Sequence, residues 1–178
     1  MDQILDVAAR FSTALETAGI PCRVIGGVAV FLHVESIDPL GARLTRDVDV
    51  AIDRLHLDRI RSAVEPYGFR YRHASGVDMF LSDESPKARS AVHVVFVNER
   101  VRPDYLEPVP ASEPVRVGRQ GILIAPVSDL VRMKLTSFRL KDKVHIQDLD
   151  AVGLITAELE AGLSKELRQR LAEVRATE

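Results

Sequence analysis

The chain has little of what would staple or specialise a fold. Its 178 residues include one cysteine, Cys22, which excludes a disulfide framework and a cysteine-based zinc site. Cys22 lies in the apolar run Pro21-Cys22-Arg23-Val24-Ile25, where a buried, inert thiol is expected. No apolar run approaches the roughly 20 residues that span a bilayer, so no membrane partner is expected. No excess of either charge exists: 24 Lys and Arg stand against 26 Asp and Glu, a formal net charge of -2. That balance argues against coating nucleic acid by bulk charge, and leaves room for a local basic groove. Internal repeats and low-complexity tracts are absent. So are a nucleophile elbow and a Walker-type glycine loop ending in Lys-Ser/Thr. His33, His56, His73 and His145 show no metal-ligand spacing and read as structural or exposed. Met1 to Ala18, with Asp2 and Asp6, reads as an amphipathic helix rather than a signal peptide. A reduced, cytoplasmic location is the default expectation.

What is present suffices for one well-cored domain. Ile4, Leu5, Ala8, Phe11 and Leu15 fall at helical spacing, and Gly19 stops that helix. Cys22–Ile25 predicts a strand ending at Gly26-Gly27, followed by a short helix over Val28 to Val34 and a loop from Ser36 to Ala42. Asp47 to Ile52 reads as a strand, with Asp53 capping a helix over His56 to Glu65. Phe69 to His73 and Asp78 to Leu81 form a hairpin around Ser75-Gly76. Ser82 to Ser90 is a polar loop containing Pro86, and Val92 to Val97 a strong strand. Pro103, Pro108, Pro110 and Pro114 mark an irregular segment, expected to wrap the sheet edge. Gly121 to Ala125 is a short strand, and Pro126 opens a helix whose apolar side is Leu130, Met133, Leu135 and Phe138. Helices follow over His145 to Ile155 and Leu163 to Val174. The order predicts an α+β domain: a mixed sheet with helices packed mainly on one face, then C-terminal helices. Its core is expected over 1–125, with a helical part over 126–178 packed on the same domain. Because helices join the first strands, part of the sheet is expected to be parallel.

The chemistry concentrates in Arg43-Leu44-Thr45-Arg46-Asp47-Val48-Asp49. On a strand, Asp47 and Asp49 share one face, and Val48, Val50 and Ile52 point to the core. Two adjacent acids repel unless a metal, an arginine or a proton intervenes, so they suit a hard cation. The plainer alternative is an exposed face whose acids pair with Arg43 and Arg46. Gly26-Gly27 lets backbone approach a ligand and offers N–H groups at a helix N-terminus to a phosphate; alone, it reads equally as a tight turn.

Together these segments resemble the DNA polymerase β-like nucleotidyltransferase superfamily, and within it the AbiEii/AbiGii-type bacterial group. That group's pattern is Gly-Gly-x-Ala, then Arg-x-Thr-x-Asp-Ile-Asp; here it reads Gly26-Gly27-Val28-Ala29, then Arg43 to Asp49. A C-terminal signature extends the likeness: Met133-Lys134-Leu135 through Arg139-Leu140-Lys141-Asp142 to Asp148-Leu149. The resemblance implies that Asp47 and Asp49 hold Mg²⁺ (or Mn²⁺) bridging to a nucleoside triphosphate, and that Gly26 and Gly27 face the phosphates. It implies that Arg43 and Thr45 orient Asp47 or the loop, and that Lys134 neutralises the triphosphate. Asp142 and Asp148 would hold Lys134, Arg139 or a nucleobase, with Lys141 among the basic side chains crowding one helix and its end. For Arg132 and Lys143 a solvated helix face is the reading taken.

Two departures stand out. Active relatives place a third acid on a neighbouring strand, whereas the matching strand here offers His93. Imidazole is a poor Mg²⁺ ligand but a fair general base; metal ligand, base and structural partner of Asp47 or Asp49 all remain open for it. Glu99 and Asp104, and less so Asp78, are substitute acids. Val28 replaces a phosphate-contacting hydroxyl. The function implied is Mg-dependent transfer of a nucleotidyl group to an acceptor hydroxyl, in a toxin–antitoxin setting with tRNA or protein as acceptor and a cognate antitoxin as partner. The rivals are a small-molecule (antibiotic) nucleotidyltransferase, and a nucleotide-binding or interaction module weakened in catalysis by His93.

Overall fold

The apolar spacing near the N-terminus becomes the inner side of helix α1 (Asp2–Thr17), with Ala8, Phe11, Ala14 and Leu15 buried. The computed structural model describes residues 2–43, 45–84, 91–118 and 120–177. Residues 85–90 of the expected Ser82–Ser90 loop, Pro86 included, lie outside the described residues, as does Leu44 of the acidic motif.

Strand β1 (Cys22–Ile25) runs into α2 (Gly26–Glu35), and β2 (Val48–Ile52) follows the 36–47 loop. Asp53 accepts from the Leu55 N–H and caps a 3₁₀ turn that leads into α3 (Leu57–Val64). The hairpin is β3 (Phe69–Ala74) and β4 (Val77–Ser82). Ser75 and Gly76 both have positive φ (52° and 74°), the backbone of a tight two-residue hairpin turn. Then come β5 (Val92–Phe96), β6 (Val115–Val117), β7 (Ile122–Ile124), α4 (Val127–Ser137), α5 (Leu140–Ala151), α6 (Ala157–Ala161) and α7 (Lys165–Arg175). This is the expected α+β architecture. The seven strands form one mixed sheet in the order β3-β4-β5-β2-β1-β7-β6.

Part of the sheet is parallel, as expected, but not between the first strands that a helix joins. β1 and β2, joined through α2, are antiparallel; the parallel neighbours are β2 with β5 and β1 with β7. Helix α2 is ten residues long and buried along almost its whole length, and it is followed by a twelve-residue loop (36–47) that lets the chain re-enter beside β1 from the same end. The alternation on β2 and β5 holds. Val48, Val50 and Ile52 lie in register with Val92, Val94 and Phe96, and all six are buried. Asp49 and His93 are register partners on the opposite face.

The proline-rich stretch does not wrap an edge. The Asn98 N–H donates to the Val109 carbonyl and the Val109 N–H to the Glu99 carbonyl, which folds the segment back beside the end of β5. Its last residues lead into edge strand β6, whose three residues are too short to register as a strand in the sequence. Among the described residues, no helix is long and apolar enough to cross a membrane.

Candidate active site

Gly26 decides the geometry where β1 meets α2. Its φ is +66°, and an ideal Cβ there would sit 2.2 Å from Asp49 Oδ2. Only glycine admits both that backbone and that carboxylate. The Ile25–Asp49 register of the antiparallel β1–β2 pair brings the acid to this corner. Gly27 makes the next close approach: a Cβ would lie 2.4 Å from Thr45 Oγ1. The double glycine is thus the first turn of α2 itself, pressed on one side by Asp49 and on the other by the motif loop.

Asp49 lies between Gly26 and His93, with His93 Nδ1 3.8 Å from Asp49 Oδ1. Burial raises the Asp49 pKa, and the Asp47 charge adds to the rise; Lys134, His93 and Lys141 oppose it. Asp47 sits just before β2 rather than on it. Arg43 pairs with neither acid. Its Nε donates to Asp148 Oδ1 at 2.7 Å, tying the motif loop to α5. The other Asp148 oxygen is buried without a partner.

The expected basic cluster is divided between two helices. α4 ends at Ser137, and Phe138 follows in the left-handed region (φ 51°, ψ 31°). Arg139 is the N-cap of α5, which carries Lys141, Asp142 and Lys143. Phe138 therefore belongs to a sharp elbow and not to the apolar side of α4. A large side chain there costs about 1–3 kcal/mol, and its surroundings hold it. Arg170 of α7 donates to the Leu135 and Thr136 carbonyls at 2.7 and 2.8 Å and stacks on the Phe138 ring, with Lys143 Nζ also 4.1 Å from the ring centroid.

The elbow gathers four groups on fully buried Asp142. Lys134 Nζ donates at 3.0 Å, Ser137 Oγ at 2.8 Å, and Arg139 through both its backbone N–H (3.2 Å) and Nε (2.7 Å). Burial alone would raise the Asp142 carboxyl; Arg139, Lys134 and Ser137 together hold it well below the usual carboxylate range. Burial lowers the Lys134 pKa, against the pull of Asp142 and Asp49.

A cavity of about 410 Å³ opens on this corner. Of the residues singled out from sequence, Gly26, Asp49, His93, Lys134 and Arg139 line it, as do the substitute acids Asp78 and Glu99. Asp47, Gly27, Thr45, Arg43, Lys141, Asp142 and Asp148 do not; they stand behind the lining or beside it. Two of the substitute acids are already held by other side chains, and the third is exposed. Glu99 is held bidentately by Arg54, Asp78 accepts from Tyr71 and His73, and Asp104 is exposed. Among the described residues, no three His, Cys, Asp or Glu side chains converge to hold a metal. Sequence reasoning missed Ser137, Arg54, Tyr105 and Glu107, all of which line the cavity. No spacing signalled them, because loops and helix ends bring them in.

No family model matches the chain, and no curated protein matches it. Solved structures do. An antigenic nucleotidyltransferase-like protein from Paracoccidioides brasiliensis superposes with a TM-score of 0.62 at 19% identity, over 99% of this chain and 89% of that one. ANT(2″)-Ia, solved in complex with adenylyl-2″-tobramycin, superposes with a TM-score of 0.58 at 12% identity, over 99% of both chains. The chain has a nucleotidyltransferase-like fold. At these identities the likeness concerns the fold alone.

Proposed function

We propose that the protein transfers a nucleotidyl group from a nucleoside triphosphate to an acceptor hydroxyl, releasing pyrophosphate. One observation carries this reading: Gly26 is packed so closely on Asp49 that a bound phosphate at the glycine would adjoin the carboxylate, with Lys134 lining the same cavity.

The donor set fits one hard cation. Mg²⁺ takes one or two carboxylates and completes its shell with water and substrate phosphates, and Asp49 with neighbouring Asp47 supplies those two. Asp49 and Asp47 would hold the Mg²⁺, whose charge would offset that developing on the leaving pyrophosphate. A third acid for a second cation is not at hand among the described residues.

The chain's own groups do the rest. N–H groups in the first turn of α2 lack intrahelical acceptors and are available to an anion. Lys134, fixed by Asp142, meets phosphate charge from a set position, and Arg139 adds a second cation. His93 stands beside Asp49 on β5, away from Gly26. In this reading it accepts the proton of an acceptor hydroxyl arriving from that side.

The motif resemblance supports a toxin role with tRNA or protein as acceptor and an antitoxin as partner; likeness to a protein bound to adenylyl-2″-tobramycin supports a small-molecule acceptor. The decisive assay incubates the protein with each labelled nucleoside triphosphate and Mg²⁺ or Mn²⁺. Total tRNA, protein extract and hydroxylated antibiotics serve as acceptors, and an Asp47→Ala/Asp49→Ala variant as control. Transfer by the wild type alone is expected.

A second reading rests on His93 standing where a third acid would be: a nucleotide-binding module weakened in catalysis. Metal-dependent triphosphate binding without transfer to any acceptor would favour it. Absence of both would remove the nucleotide from the account.

A further inference from the structure

The cavity continues past the catalytic corner to a flat cationic surface that the transfer chemistry leaves unused. Arg54 lies just beyond β2. Its guanidinium carbon sits 3.5 Å from the centre of the Phe96 ring, close enough for the two planes to stack. Both arms of Glu99 grip it at 2.7 Å, which fixes the plane. The Arg54 side chain is still 53% exposed, and it lines the cavity. With one face on Phe96 and one edge on Glu99, the open part is the second face of the guanidinium.

The surroundings shape a slot. The β4–β5 register ends at Asp78–Val94, so Val95 and Phe96 have no β4 partner. Past this bare edge the cavity reaches from His93 to Phe96, although the two residues point to opposite faces of β5. Val77 at the hairpin tip and Val101 on the proline-rich segment are 42% and 50% exposed and flank the cavity. Asp78 also lines it; its bonds from Tyr71 and His73 both go to Oδ1, which leaves Oδ2 to accept from a ligand. An immobilised, half-open guanidinium plane with apolar edges and a free carboxylate oxygen suits a planar, amino-bearing heterocycle, since bases stack on arginine planes.

Position assigns the slot to the acceptor. In the sheet, β2 lies between β1 and β5. Gly26 follows β1, so the phosphate end is on one side of Asp49, and His93, Phe96 and Arg54 are on the other. In-line displacement brings the attacking oxygen in opposite the leaving pyrophosphate. Three residue steps along the strand take His93 to Phe96, about 10 Å, a span suited to a hydroxyl at one end and a base at the other. We infer that Arg54, stacked on Phe96 and held by Glu99, is a platform for a nucleobase of the acceptor. The assignment to the acceptor rests on the nucleotidyl-transfer reading; the platform itself does not.

Calorimetric titration tests it, on wild type and on Arg54→Lys, which keeps the charge and loses the plane. The probes are adenosine, cytidine, a short single-stranded RNA with a free 3′ end, and tobramycin. Each is titrated with and without a saturating non-hydrolysable triphosphate and Mg²⁺. The RNA, or the RNA and the nucleosides, should bind wild type and lose about tenfold or more in affinity in Arg54→Lys, while triphosphate affinity and melting temperature stay unchanged. Binding by RNA alone identifies an RNA end as the source of the base; binding by nucleosides as well shows that the base suffices. If no base-bearing probe binds wild type, or if Arg54→Lys binds each as well, the platform is refuted. Equal loss for tobramycin refutes stacking as the cause. If the variant weakens the triphosphate instead, the platform serves the donor and the acceptor assignment falls. If the triphosphate binds neither protein, the donor reading fails, and the arms without triphosphate still decide the platform.

Discussion

Replacing Gly26 by alanine separates two costs that glycine avoids at once. The first is backbone strain: at φ +66° an alanine in the left-handed region costs about 1–2 kcal/mol. The second is collision: its Cβ would fall 2.2 Å from Asp49 Oδ2 and 3.1 Å from Asp49 Cβ and Cγ. No contact of 2.2 Å is tolerable, so the carboxylate must leave the corner. Gly19 supplies the control. Its φ is +63°, nearly the same, and a Cβ there meets nothing within 4 Å. Gly19→Ala therefore bears the strain without the collision.

Thermal melting and a single-turnover transfer assay with labelled triphosphate read the two costs. For a chain of this size each kcal/mol shifts the melting temperature by about 2–4 °C. Gly19→Ala should lose about 2–8 °C and keep wild-type transfer. Gly26→Ala should lose at least as much and fall about 100-fold or more in rate, the penalty for displacing a reacting group by about an ångström. Triphosphate affinity should drop with it, because the carboxylate and the turn proposed to face the phosphates move together. If Gly26→Ala matches Gly19→Ala in melting and stays within threefold of wild type in rate, Asp49 is not fixed by this glycine and the proposed corner is wrong.

Three further outcomes follow from neighbouring contacts. Gly27→Ala would press on Thr45 Oγ1 and Cβ and should unseat the motif loop, seen as faster amide exchange over residues 36–47; adding Thr45→Gly should restore protection. Arg170→Ala frees the Leu135 and Thr136 carbonyls and uncovers Phe138; the KM for triphosphate should rise several-fold through Lys134 and Arg139, with a smaller change in kcat. His145, whose Nδ1 is buried without a partner, has its pKa lowered from 6.5 to about 4, by burial first and then by Lys134. Unfolding restores the ordinary value, so the unfolded chain gains the proton first and stability falls as pH drops from about 6.5 toward 4. Between pH 7 and 5 the loss should approach about 2 kcal/mol, read by urea titration, and His145→Gln should abolish that component of the slope.

What sequence could and could not foretell divides along a physical line. Alternation with period two is local, so the buried set Val48, Val50, Ile52 and its partners Val92, Val94, Phe96 could be read directly, and with them the shared face of Asp49 and His93. Strand direction is not local. The 36–47 loop carries no mark of which way β2 enters, yet the antiparallel β1–β2 register is what places Asp49 on Gly26. The elbow at Phe138 was illegible for a different reason. Nothing in Ser137-Phe138-Arg139 favours a left-handed residue, since the compensation comes from Arg170, more than thirty residues later. Lys134, Arg139 and Asp142 could be picked out individually, while their convergence depends on that remote clamp. The same holds for Arg54 and Glu99, 45 residues apart, which meet only because the chain folds back after β5. Residues that act through backbone fit leave a trace in sequence, as the glycines do here. Residues that act through a tertiary partner leave only their identity, as Lys134, Glu99 and Asp78 do, so the proposed acceptor side, built almost wholly from such partners, takes shape only in the folded chain.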